Sequence, residues 1–150
     1  MPHLAQINIA RFRTEPANPI NQEFFENIDR INAIAEASPG FVWRLKDEDA
    51  EDATSINVFD DHRMVVNMSV WSSVDAFLAY IYKSDHAQIM AKRKLWFEDI
   101  ELPHLAIWWV EEGQLPTAEQ GRQMIERLHR EGPSEVVFGM RELMVRFKKK

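Results

Sequence analysis

The sequence predicts an α+β domain of the split βαβ, ferredoxin-like kind, an antiparallel sheet with helices on one face. Three observations carry this. Strand-like and helix-like apolar periodicities alternate in the order β-α-β-β-α(α)-β. A further helix and a short strand are appended behind them. Neither an internal repeat nor a linker divides the 150 residues, and an apolar fraction of 45% supplies one core rather than two. The chain is read as a single domain over 1–150, with 114–140 an appended helix-strand extension and 141–150 a tail.

Residues 4–11 place Ala5, Ile7 and Ile9 on one face and Gln6 and Asn8 on the other, the period of a strand. The prolines between Glu15 and Pro19 break the chain. Phe24, Ile28, Ile31 and Ala35 then form the stripe of an amphipathic helix from about Asn21 to Ala37, which Ser38-Pro39-Gly40 ends. Phe41 to Leu45 follows as a strand, with Phe41, Trp43 and Leu45 expected on one side. Seven carboxylates crowd residues 46–63 (Asp47, Glu48, Asp49, Glu51, Asp52, Asp60 and Asp61). Charge this dense is expensive to bury and reads as a solvated loop; the segment lacks the glycine turn and closing Glu of a calcium loop.

Met64 to Trp71 is a third strand. Ser72 or Ser73 caps a helix bearing Val74, Phe77, Leu78 and Ile81, and Ser84 offers a second cap for a helix running to about Phe97. His104 to Val110 forms the fourth strand, with Trp108 and Trp109 on opposite faces. Thr117 and Gln120 make a capping box for a helix to about Glu131. Gly132-Pro133 stops it, and Val136 to Phe138 supplies a short edge strand. The sheet face away from the helices has no covering layer in this reading, so a homodimer is expected to bury it.

Composition excludes several function classes. Eighteen basic against twenty-four acidic residues leave a net charge of −6, the wrong sign for a nucleic-acid binder. Cysteine is absent, so there are no disulfides, thiolate metal sites or cysteine nucleophiles. That suits a reducing cytoplasm, the expected location. No apolar run approaches the roughly 20 residues that cross a bilayer, the first residues lack a signal peptide's pattern, and no membrane partner is expected. No histidine pair has the helical spacing of a zinc site, and neither a phosphate loop nor a nucleophile elbow occurs. Five Trp and nine Phe suggest an aromatic pocket or interface.

Candidate site residues come from three places. On the strand 64–71, Val65, Asn67, Ser69 and Trp71 share a face, so Asn67 and Trp71 either line a cavity or sit on a half-wetted surface. His86, in the first turn after a Ser84 cap, would be kept neutral by the helix dipole and able to take a proton or bind iron, whereas a lone helix-start histidine is more often a surface or satisfied structural residue. Tyr82 just upstream, Trp96 and Phe97 further on, and Trp43 add a phenol and rings suited to an aromatic guest. Arg93 either steadies an anionic substrate or forms a surface ion pair.

The strings Ser38-Pro39-Gly40-Phe41-Val42-Trp43-Arg44-Leu45, Asn67-Met68-Ser69-Val70-Trp71, Tyr82-Lys83-Ser84-Asp85-His86, Trp96-Phe97 and Trp108-Trp109 resemble a bacterial and fungal family of unknown function. That family lies in the dimeric α/β-barrel superfamily, related to antibiotic-biosynthesis monooxygenases. The resemblance runs from residue 4 to about 140. It implies two ferredoxin-like subunits whose sheets form a barrel, each with a pocket between sheet and helices. Some cofactor-free quinone-forming monooxygenases of the superfamily carry an Asn and a Trp four residues apart on this strand, as Asn67 and Trp71 are. Their next-helix Tyr is Phe77 here, so Tyr82 and His86 would substitute.

The expectation is a small-molecule enzyme acting on a hydrophobic, aromatic or phenolic substrate without a cofactor. Asn67, His86 and Tyr82 would be catalytic, and Trp71, Trp43, Trp96, Phe97 and Arg93 would bind substrate. The alternatives are a haem protein using His86, a non-catalytic ligand-binding dimer, and an isomerase or lyase.

Overall fold

The structure, a computed structural model, describes residues 2–46, 58–83 and 92–147. Strand β1 (His3–Phe12) is central. A 3-10 turn at Pro19–Asn21 leads into α1 (Gln22–Ala37). Strands β2 (Phe41–Arg44) and β3 (Met64–Trp71), helix α2 (Val74–Lys83), the two-residue β4 (Phe97–Glu98), β5 (Leu105–Val110), α3 (Ala118–Glu131) and α4 (Met140–Phe147) complete the order. Every pairing is antiparallel. β3 lies on one side of β1 with β2 outside it, while β5 and β4 share the other side, along His3–Asn8 and at Arg11–Phe12. This is the ferredoxin-like sheet that the element order predicts.

Strict alternation along β1 creates two chemically different faces. Ala5, Ile7 and Ile9 join Met68, Val70, Ala106 and Trp108 in one fully apolar core. Leu4, Gln6 and Asn8 point the other way, paired across the ladder with Trp71, Ser69 and Asn67. Ile31 and Ala35 of α1 and Phe77 and Tyr80 of α2 pack on this second face around Leu4, Trp71 and Ile107. A third group, Phe12, Phe24, Val65, Trp96 and Phe97, closes the end of the sheet where β4 pairs. Tight entry into β2 depends on Gly40: its φ of +83° is left-handed, and a Cβ there would stand 2.4 Å from Ala76 Cβ.

Several expectations are corrected. The apolar face opposite α1 and α2 has a layer of its own, because Ile125 and Leu128 of α3 pack into it. The capping box expected at Thr117 and Gln120 is formed at the start of this helix. The packing argument for a second copy is thereby removed over the patch that α3 covers. A bulge between Phe41 and Trp43 breaks the alternation of β2. Phe41 consequently joins the face beneath α1 and α2 while Trp43 packs with the opposite core.

Phe97 is not the end of a helix. The helical residues stop at Trp96, and Phe97 pairs with Phe12. The edge strand at 136–138 reduces to one bridge, Ile107 with Phe138. The tail at 141–150 is helical through Phe147, since Met140, Leu143 and Met144 recur at helical spacing and Leu143 is fully buried. Glu142 reinforces its start by accepting a 2.8 Å hydrogen bond from the Gly139 N–H. The acidic stretch 47–57 and the Ser84 cap lie outside the described residues.

Candidate functional site

A cavity of about 450 Å³ opens between the second sheet face and helices α1 and α2. Its walls are mostly apolar: Phe24, Ile28 and Ile31 from α1, Phe77 and Ile81 from α2, and Phe97 at the closed end of the sheet. The size suits a small organic molecule of a few rings. Its polar groups fall into three sets. The sheet contributes amides, α1 contributes Asn32, and Arg93 and His104 line it from the segment between α2 and β5.

The amides form because β1 and β3 present polar residues at directly opposed positions. Asn8 stands opposite Asn67 and Gln6 opposite Ser69. Gln6 Nε2 donates to Ser69 Oγ at 2.7 Å and to Asn67 Oδ1 at 3.3 Å. Asn8 Nδ2 donates to Gln6 Oε1 at 3.0 Å and to Asn67 Oδ1 at 3.3 Å. Two donors therefore converge on the carbonyl oxygen of Asn67. Its own Nδ2 group has no acceptor among the described residues, although the side chain is half-buried on the cavity wall. Burying a donor without an acceptor costs free energy unless a guest supplies one. The side chain of Asn32, a residue only 5% exposed, likewise has no hydrogen-bond partner among the described residues.

Arg93 and His104 form a linked pair. A guanidinium can only donate, so the 3.3 Å contact from Arg93 Nη2 to His104 Nδ1 fixes that nitrogen as the acceptor and places the ring proton on Nε2. Burial pushes the imidazole pKa below its ordinary 6.5, and the Arg93 charge pushes it further; a backbone contact with Ile9 and the charge of Asp99 oppose this more weakly. His104 is therefore neutral at pH 7 and a poor base, because accepting a proton would mean releasing Arg93 and placing two cations side by side. Tyr80, the other titratable group on the wall, is pushed up to about 12 by burial against a smaller opposing effect of Arg44. Among the described residues the cavity thus offers donors for an anion and no base poised near neutrality.

The sequence-derived candidates scatter around this cavity. Asn67, Arg93 and Phe97 line it. Trp71 lies beneath the helical layer but fills core instead of wall: it is fully buried, stacks on Tyr80 at 4.7 Å, and donates its indole N–H to Ser69 Oγ at 2.9 Å. Trp96 is 1% exposed and packs behind Phe24 at 5.7 Å. The β2 bulge turns Trp43 to the opposite face. Tyr82 is 73% exposed and is not on the cavity wall; two residues earlier on α2, Tyr80 takes that place. His86, and with it the haem alternative, lies outside the described residues.

Sequence reasoning passed over Gln6, Asn8, Asn32, Tyr80 and His104. The alternation of β1 exposes the first two as a polar pair, and Asn32 sits within the helical stripe between Ile31 and Ala35. Among the described residues no group of three His, Asp or Glu side chains is placed to hold a metal ion. Nor is any helix among them long and apolar enough to cross a membrane.

The model of a domain of unknown function, DUF3291, matches residues 3–150, and the chain belongs to that family. No curated protein matches it significantly. Among solved structures, a protein of unknown function from Nitrosomonas europaea superposes with a TM-score of 0.52 at 12% identity, covering 79% of this chain and 98% of its own. SnoaB, a cofactor-independent oxygenase from Streptomyces nogalater, gives 0.48 at 18% identity over 78% of this chain and all of its own. A Pseudomonas aeruginosa protein gives 0.48 at 10%, over 77% and 97%. The likeness to the Nitrosomonas protein is one of fold alone.

Proposed function

We propose that this DUF3291 protein is a small-molecule enzyme whose substrate is a hydrophobic phenol, held as its phenolate for reaction with molecular oxygen. The observation that carries the reading is the Nδ2 group of Asn67, half-buried on an apolar cavity and lacking an acceptor among the described residues. A phenolic oxygen is an acceptor of the right size, and its rings suit walls made of Phe24, Phe77 and Phe97. Because Gln6 and Asn8 hold the amide carbonyl, the amide N–H is oriented before the substrate arrives. Such preorganised donors stabilise charge as it develops on oxygen.

Oxygen as co-reactant follows from the likeness to antibiotic-biosynthesis monooxygenases read in the sequence. The balanced reaction is phenol plus O2 to quinone plus water. One oxygen atom replaces the hydrogen on a ring carbon as a carbonyl and the other leaves as water, while the phenol supplies four electrons. With His104 and Tyr80 unsuited as bases, the phenolic proton goes to solvent and the reaction depends on the substrate's own acidity.

The test is to incubate the protein with naphthols and anthrones under air and under argon, with mass spectrometry of the products. Quinone formed only under air, and lost in Asn67→Ala, supports the reading. Tight binding with no product in air contradicts it and leaves a binding protein.

A further inference from the structure

We infer that the ligand of this cavity carries a carboxylate or similar acid at the end opposite its apolar body, and that Arg93 receives it. The inference rests on the cavity being the binding site, as proposed above, and adds the charge of the guest. Arg93 lines the cavity and is half-buried there. Its one hydrogen-bonding partner among the described residues is the imidazole of His104, a neutral ring. Asp99 lies close enough to favour protonation of His104 but makes no ion pair with Arg93. Most other arginines of the described chain do find carboxylates: Arg11 pairs with Asp61 and Glu98, Arg44 with Glu36, and Arg122 with Glu119 and Glu126. A guanidinium on the wall of an apolar cavity, with no carboxylate paired to it among the described residues, is a site for an anion.

The pairing with His104 strengthens this assignment. The imidazole brings no negative charge, so the guanidinium that touches it keeps its full charge. A guanidinium fork suits the two oxygens of a carboxylate and has nothing to offer an ammonium or other cation. Asn67 and Asn32 on the sheet and α1 remain for neutral or weakly acidic oxygens elsewhere on the guest. The substrate class is therefore a hydroxylated aromatic acid.

Calorimetric titration with 6-hydroxy-2-naphthoate, its methyl ester and 2-naphthol tests this. The expected result is an acid binding about tenfold or more tightly than its ester in the native protein. That preference should fall to near unity in Arg93→Gln and persist in Arg93→Lys, which keeps the charge and reports whether position 93 tolerates change. Ester and naphthol binding as well as the acid would overturn the inference while leaving the cavity as the binding site. An acid preference that survives Arg93→Gln would overturn it too, by placing the anion elsewhere. If none of the three binds, both this inference and the proposed function fall.

Discussion

The Asn67 amide is oriented by two neighbours, Gln6 and Asn8, that line the same cavity. With its carbonyl held by Gln6 and Asn8, the amide cannot turn to present oxygen instead of nitrogen. Loss of one preorganised oxyanion donor costs about 2.7–4 kcal/mol in transition-state stabilisation. Asn67→Ala should therefore reduce turnover on the order of a hundredfold with little change in melting temperature, as steady-state kinetics and thermal denaturation would show. Tyr82→Phe should leave turnover within about twofold, because a phenol 73% exposed meets water and not the cavity. A large loss in Tyr82→Phe would restore it to the site. Of the candidate residues, Asn67 was legible from strand alternation. Tyr80 was missed for Tyr82 because the capping residue alone does not set which face of α2 is turned inward. Trp71 was legible as an inward residue, but no spacing distinguishes a ring that fills core from one that lines a void.

At the scale of elements, four of the five strands and α1, α2 and α3 were readable because their periodicities are strong and their ends carry turn or capping chemistry. Helix α4 was not. Its basic end resembles a solvated tail, and its short stripe gains meaning only when Phe138 bridges to β5 and brings Leu143 onto the core. Leu143→Ala should cost about 2–5 kcal/mol, the usual range for emptying a fully buried leucine position, measured by urea denaturation. A cost near zero would return this segment to the status of a tail. The bulge in β2 was equally hidden, since alternation in the sequence cannot announce the residue at which it fails. Gly40→Ala should destabilise by about 1–3 kcal/mol, because the left-handed backbone and the Ala76 methyl both oppose a side chain there.

For the whole molecule, the titrating groups give stability a defined slope with pH. His104 has a folded pKa below its unfolded value, so the unfolded chain takes up its proton first as pH falls through 6.5. Stability then declines with acid until the pH reaches the folded pKa. Asp61 is also lowered, chiefly by its hydrogen bond to Arg11, so its contribution is present above 3.8 and lost as pH falls through its folded value. Both act in the same direction, in separate windows. Denaturation midpoints between pH 5 and 7 should fall less steeply in His104→Gln than in the native protein; an unchanged slope would mean that His104 titrates normally.

The sheet with its two chemically distinct faces also explains why the proposed site falls on one of them. One face is closed by apolar packing under α3, whereas the other carries amides beneath α1 and α2, where a guest can reach them. The most direct test is an absorbance titration of a chromophoric naphthol in the cavity, which reads how readily the bound phenol ionises. An apolar cavity by itself would suppress ionisation, and an oriented donor would promote it. The expected result is an ionisation constant raised about tenfold on binding, with the rise lost in Asn67→Ala. A bound naphthol that ionises less readily than in water, or identically in both proteins, would contradict the claim that Asn67 holds an oxyanion.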